Sequence, residues 1–458
     1  MALIRILFLL YYGSLGALMP YLPVYYHSLG HGGQIIGLLG AVKPFTTFLV
    51  APIWGLVSDL LDQPFLVLNV TFLVSALGQV LVAFRSEALY IMIMVFITAV
   101  FNAPVKSLLD SMVMEQLHDQ SSYGRLRLWG QMGFGIGSSV TGWLLSRYKD
   151  RPWPDDTTFS AAFEESLTRY PAIMQQMAVY ADKCWQSLSG YKLLFLTYVG
   201  LSVPTFLLMQ AFKRMSHKPG ESQVMSSSSS KTKTAKPVAK HKEEKKSTFE
   251  GLGLLVHNSD ALLFFFLVFV VGVSSGMIEN FAYVRIREVG GAGKEMGLSR
   301  LVSSIAGAPM FWFSGPLART LGVDRVLALT LTSYATRFVI YAVMQRAYQG
   351  LPAEALRGVT FAAFWSSATI YAHKVSPAGL HATMLLAMNA MYGGLGQSLG
   401  AIIGGRLQHR FGTVQTFWYG AAFDAVFVVA LVAYLSLRKE SNFRNPRPIE
   451  APVKHKKT

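Results

Sequence analysis

In a chain that is mostly apolar, the residues able to do chemistry are the few charges kept inside the apolar runs. Lys43, Lys106, Asp110, Arg127, Glu279, Arg300 and Asp424 fall within or at the edge of such runs. A charge there is costly, so it faces a cavity or meets a partner. The surrounding sequence holds no HExxH, GxSxG or phosphate-loop pattern, so it does not read as an enzyme. The lone cysteine, Cys184, excludes an internal disulfide and a cysteine-clustered metal site, and no cofactor is implied. What remains is the binding of a polar or charged group and the carriage of a proton.

Lys106 and Asp110 stand four apart and share a helix face. Arg125 and Arg127 follow a short loop and open the glycine-rich run YGRLRLWGQMGFGIGSS. They are placed to meet Asp110 at the membrane edge, either as a static ion pair with snorkelling arginines or as a gate that breaks and re-forms. The glycines let that helix pack closely on a neighbour. Lys43, beside Pro44, lies about nine residues into its run, roughly 13 Å of helical rise. It has no sequence-local partner, so if it faces the cavity it either gives up its charge or finds a carboxylate or an anionic substrate. Glu279, with Asn280, is either a proton-carrying carboxylate or a charge of the outer interface, since Arg285, Arg287 and Glu288 follow. Arg300 is placed to neutralise it or to bind an anion.

The elements that position these residues are membrane helices. The chain is 52% hydrophobic and 14% charged, where soluble domains carry about 25% charged residues. The apolar excess comes in blocks near the ~20 residues that cross a bilayer, without the alternation of barrel strands. The run from Leu7 reads as a first span, not as a cleaved leader. Turn and charge signals give twelve spans, at about 4–27, 34–57, 64–84, 88–114, 126–147, 191–212, 259–284, 297–317, 324–345, 353–373, 380–405 and 414–437. An even count puts both termini on one side. The net charge of +16 is concentrated in Lys213 to Lys246 and Arg438 to Lys457. The positive-inside rule makes that side cytoplasmic, and with no folded basic domain a nucleic-acid partner is not expected.

Residues 1–213 then form a first six-helix half with an outer insert at 149–190. Residues 214–252 form a disordered basic linker, 253–437 a second half, and 438–458 a cytoplasmic tail. The linker's serines and lysines cannot bury enough apolar area to order it; it is a tether, a lipid-headgroup contact or a phosphorylation switch. The halves repeat. At an offset of 260, Gly16 meets Gly276, Gly37 meets Gly297 and Gly55 meets Gly315; at 259, Gly135, Gly137 and Ser139 meet Gly394, Gly396 and Ser398. Two like halves around a midplane site is the plan of a transporter.

The stretches PYLPVYYHSLG (Pro20 to Gly30), GLLGAVKPFTTFLVAPIWGLVSD (Gly37 to Asp59), APVKSLLD with YGRLRLWG, FWFSGPLARTLG (Phe311 to Gly322) and LRGVTFAAFWSSA (Leu356 to Ala368) resemble the major facilitator superfamily. More narrowly they resemble its lactose-permease-like and major facilitator superfamily domain-containing protein 6 branch. The resemblance implies an all-α membrane protein with twelve transmembrane helices in two pseudo-symmetric halves. It implies a monomeric secondary transporter, in a plasma or organelle membrane, moving a small polar solute (a sugar, nucleoside or organic acid) with proton symport. It implies a gating motif at Gly55 and Asp59, with Gly315 and Arg319 as its repeat. Asn102, Gln131, Trp365, Asn389 and Gln397 would stand on cavity-lining spans. Two departures stand out. Leu60-Leu61-Asp62-Gln63 replaces the basic cluster after Asp59, and Gly307-Ala308-Pro309 lacks the acid that usually precedes that proline. Both leave a transport-inactive receptor or scaffold as the alternative.

Overall fold

The computed structural model describes residues 2–61, 63–115, 123–149, 190–216, 259–376 and 381–437. The sequence-predicted outer insert, central linker and tail lie outside the described residues. So do the side chains of Asp59, Arg125, Arg127, Gly315 and Arg319.

All described elements are helical, and they group consistently with twelve spans. The first span runs Ala2–Leu18 and continues, through a tight turn at Met19–Tyr21, into Leu22–Ser28. The second to fourth are Gly33–Leu61, Pro64–Leu81 and Ala88–Asn102 with Val105–Glu115. The fifth and sixth are Tyr123–Lys149 and Leu193–Ser216. The seventh to ninth are Ser259–Glu288, Gly293–Leu321 and Val323–Val343. The tenth comprises Leu351–Ala355, a π-helical stretch Gly358–Ala363 and Phe364–Val375. The eleventh begins at His381–Asn389, passes through a π-helical Ala390–Gly396, and continues into Gln397–Leu437. Gly412, with φ of 82°, breaks that last helix, so the twelfth span starts just after it.

Eight stretches among the described residues are long and apolar enough to cross a membrane, the last containing the eleventh and twelfth spans together. The fifth, eighth and tenth are not among them. Their glycines, serines and charged residues lower their apolarity.

Glycines set how closely the helices approach. Within the first half, a Cβ at Gly133 or Gly137 would overlap the carbonyl oxygens of Leu9 or Gly13, so the fifth span lies backbone to backbone on the first. Within the second, Gly276 stands against the Gln397 carbonyl and Gly400 against that of Val273, so the seventh and eleventh spans repeat the arrangement. The same device joins the halves. Gly37 meets Ala401 and Gly405 across the second and eleventh spans, and Gly142 meets Gly293 across the fifth and eighth. Small residues permit this, and where lipid supplies no hydrophobic drive between helices, close packing holds them.

These inter-half seams lie at the face opposite the N terminus. Toward the other face the contact between halves continues to Phe48 against Gly394 and Gln131 against Gly307. In the second span, Ile36, Leu39 and Ala41 are buried, whereas among the described side chains from Ala51 to Leu61 only Ser58 is. The halves are therefore seamed toward one face, and the second span is mostly exposed toward the other.

Candidate functional site

At the inter-half surface the second half presents a cluster of ions. Glu279, on the seventh span, accepts a hydrogen bond from Arg300 Nη2 of the eighth at 3.1 Å and forms an ion pair with Arg357 of the tenth. The Arg300 guanidinium reaches across to lie 4.9 Å from the ring centre of Phe134, on the fifth span, a cation–π contact between halves. Behind this layer Arg337 Nη2 donates to Glu354 Oε1 at 3.0 Å, and the Tyr341 hydroxyl donates to the same oxygen at 2.5 Å. Arg337 Nη1 donates to Thr360 Oγ1 at 3.1 Å. Both members of the Arg337–Glu354 pair are essentially fully buried, whereas the Glu279 side chain keeps 30% of its exposure. Glu279, Arg300, Glu354 and Arg357 line a narrow cavity with Pro20 and Tyr283.

Local structure explains why these residues converge. The first span breaks at Met19–Tyr21, where Pro20 interrupts the hydrogen-bond ladder, and this turn faces the seventh span. Tyr21 packs edge to face on Tyr283, with ring centres 5.5 Å apart, and its hydroxyl donates to the Ser138 carbonyl at 2.7 Å. The tenth span is π-helical directly after Arg357, and such wide turns redirect side chains and recur at functional sites.

The other sequence-predicted residues divide. Lys43 projects inward from the second span and places Nζ 3.2 Å from the Met19 sulfur. Asn280 donates to the Gly276 carbonyl at 2.8 Å, and its Oδ1 occupies the space beside Gly40. Gln131 reaches from the fifth span to Gly307 of the eighth, its Nε2 standing about where a side chain at that position would project. Gln397 and Tyr392 both donate to Ser275 Oγ at 3.2 Å, and Trp365 packs edge to face on Tyr392 at 5.5 Å. Asn389 is exposed and bonded to its own helix. Asn102 is half-buried, Lys106 exposed and Asp110 half-buried on the fourth span, away from the Glu279 cluster. Gly55 has open space where a Cβ would stand. Asp424 is buried in the second half, taking a hydrogen bond from Ser274 Oγ at 2.5 Å.

Sequence reasoning missed Arg337, Glu354 and Arg357. Arg337 is a lone charge inside the ninth span's apolar run, the same signal that marked Lys43 and Glu279. Glu354 and Arg357 stand where the tenth span was expected to begin, so they read as helix-end charges.

Two like halves, seamed by glycines around an internal charge cluster, have the architecture of a major facilitator transporter. The chain belongs to the MFS_1 like family, whose model matches residues 1–419. It is similar to the maltose permease of Geobacillus stearothermophilus, 25% identical over 433 residues that cover 93% of this chain and 92% of that one. It is also similar to the major facilitator superfamily domain-containing protein 6-like protein B of Xenopus laevis, 21% identical over 326 residues, 70% of this chain and 44% of that protein. The crystal structure of the nucleoside transporter NupG matches with a TM-score of 0.70 at 15% identity, covering 94% of this chain and 98% of that one. That likeness speaks to the fold. The protein is thus a multi-pass membrane protein of a transporter family, not of an enzyme family.

Proposed function

We propose that the protein is a secondary transporter that moves a small polar solute by alternating access with proton symport, and that Glu279 is the coupling group. The observation that carries this reading is the double pairing of Glu279 with Arg300 and Arg357 at the inter-half cavity. Protonating this carboxylate would release two guanidinium groups held by one anion. Their donors would then be available to a solute, which links proton occupancy to solute binding without any further moving part. An equilibrium shifts only as far as a ligand's differential affinity for its two states allows, and an ion pair that exists in one protonation state supplies such a difference. The polar lining also speaks for a solute path, where a receptor or scaffold would be served by an apolar seal. The face that holds the N terminus is the cytoplasmic one by the positive-inside rule. The name of the maltose permease and that of the NupG structure point to a sugar or nucleoside; the excess of guanidinium donors also accommodates an acid.

The test is uptake by proteoliposomes of a labelled pool of sugars, nucleosides and organic acids, with and without an inward proton gradient. Gradient-stimulated uptake that Glu279→Gln abolishes supports the reading. Uptake indifferent to both the gradient and the substitution contradicts the coupling role.

A further inference from the structure

The charges around the cavity do not balance. Four cations, Lys43, Arg300, Arg337 and Arg357, stand against two carboxylates, Glu279 and Glu354. Arg337 and Glu354 cancel one another in full burial, and Glu279 is shared between Arg300 and Arg357. Lys43 is left over. Its Nζ contacts the Met19 thioether, a weak acceptor, and among the described residues no carboxylate comes within ion-pairing distance of it. Arg300 adds a second unmet demand, because its Nε is buried with no hydrogen-bond partner.

These demands lie at one level of the molecule. Lys43, Glu279 and Arg300 stand about 10 to 15 Å of helical rise from the seamed face, counted from Gly33, Glu288 and Gly293. They also share neighbours. Met19, beneath the Lys43 ammonium, precedes Pro20 of the cavity wall. Gly40, one turn from Lys43, touches Asn280, the residue after Glu279. A surplus of positive charge in a membrane interior is costly unless something answers it. The helices that surround it offer no further carboxylate there among the described residues, which leaves room for a counter-charge from outside.

We propose that the solute is an organic anion whose carboxylate or phosphate group docks between Lys43 of the first half and the Arg300–Glu279–Arg357 cluster of the second. The proposal rests on the transporter reading and narrows its solute. The anion bridges the halves: it takes a charge-assisted hydrogen bond from the Lys43 ammonium on one side and the unused guanidinium donors on the other. A neutral sugar or nucleoside leaves the surplus in place.

The test uses solutes that share a body and differ in charge: glucose, glucuronate and glucose 6-phosphate; uridine and orotate; 3-phenylpropionate and its amide. Chloride and inorganic phosphate at equal ionic strength serve as bare-ion controls. Binding is read as the concentration that raises the thermal midpoint of the purified full-length protein, for wild type, Lys43→Gln and Lys43→Arg. Uptake of the same solutes into proteoliposomes is read in parallel. The expected result is that an anionic member acts at about tenfold lower concentration than its neutral twin, that Lys43→Gln removes the difference, and that Lys43→Arg keeps it. Equal or stronger action by the neutral twins overturns the proposal while leaving transport standing. No charge-dependent effect from any member, or an effect that chloride or phosphate reproduces in full, overturns it as well. Anion binding without uptake of any solute keeps the anion site and contradicts the transporter reading instead.

Discussion

In the first half, Gly137 of the fifth span packs on the Gly13 carbonyl of the first; in the second half, Gly396 of the eleventh packs on Gly272 of the seventh. Ser139 donates from the fifth span to the Gly297 carbonyl of the eighth at 3.0 Å, and its repeat Ser398 donates from the eleventh to the Ala41 carbonyl of the second at 3.2 Å. Backbone seams are thus copied from one half to the other, residue by residue. The charges are not. At the offset of the repeat, Glu279 stands opposite Met19 and Arg300 opposite Gly40. Met19 is the residue that Lys43 touches, and Gly40 is the one that Asn280 fills. The first half therefore brings Lys43 toward the cavity wall at Met19, and the second supplies the ion network. A duplicated scaffold keeps its seams, while the charged residues between them are free to differ between copies.

The comparison is broken most severely by striking the network where it is deepest. Arg337→Met leaves Glu354 buried and uncompensated, at a cost of about 3 to 5 kcal/mol. The thermal midpoint of the purified protein should fall accordingly. Removing both charges, as Arg337→Met with Glu354→Met, should restore much of the loss. A double variant as unstable as the single one would mean that the pair is needed for more than neutralising itself.

Next come the seams. Gly400→Val forces a side chain into the Val273 carbonyl within one half, and overpacking of this kind costs about 1 to 3 kcal/mol. Gly37→Val makes the same intrusion between halves, where the halves can part. The first should lower the thermal midpoint, and the second should leave the midpoint nearer wild type while impairing uptake. Equal loss of stability in both would show that the inter-half seam is as permanent as the intra-half one.

The smallest effect on transport belongs to Ser274→Ala, which takes from Asp424 its hydroxyl donor. A buried group that loses its hydrogen bond costs about 1 to 3 kcal/mol. Because Asp424 lies on the twelfth span, away from the inter-half cavity, the midpoint should drop and proton-stimulated uptake should keep its ratio to unstimulated uptake. A changed ratio would make Asp424 part of coupling.

Much of this was legible before any coordinates. The spans follow from apolar length, and the repeat from glycine offsets. The close packing of the fifth span follows from Gly133 and Gly137. Glu279, Arg300 and Lys43 stood out because charge inside an apolar run has few explanations. Two things were hidden. Whether a charge near a helix end is deep or superficial depends on where the span begins. The tenth is preceded by the short helical turn Ala347–Gly350 and opens with the short helix Leu351–Ala355, which place Glu354 and Arg357 against the ninth and seventh spans. Which charges meet depends on helices distant in sequence: Glu279 reaches its partners 21 and 78 residues away, and no spacing rule spans such a gap.

The central claim is that Glu279 couples the proton to the solute without itself being needed to move the solute. It is tested most directly by comparing two modes of transport in Glu279→Gln proteoliposomes. One is solute counterflow, which needs no gradient; the other is accumulation driven by an inward proton gradient. The account predicts that counterflow persists while gradient-driven accumulation is lost. Accumulation that survives the substitution, with counterflow unchanged, would contradict it.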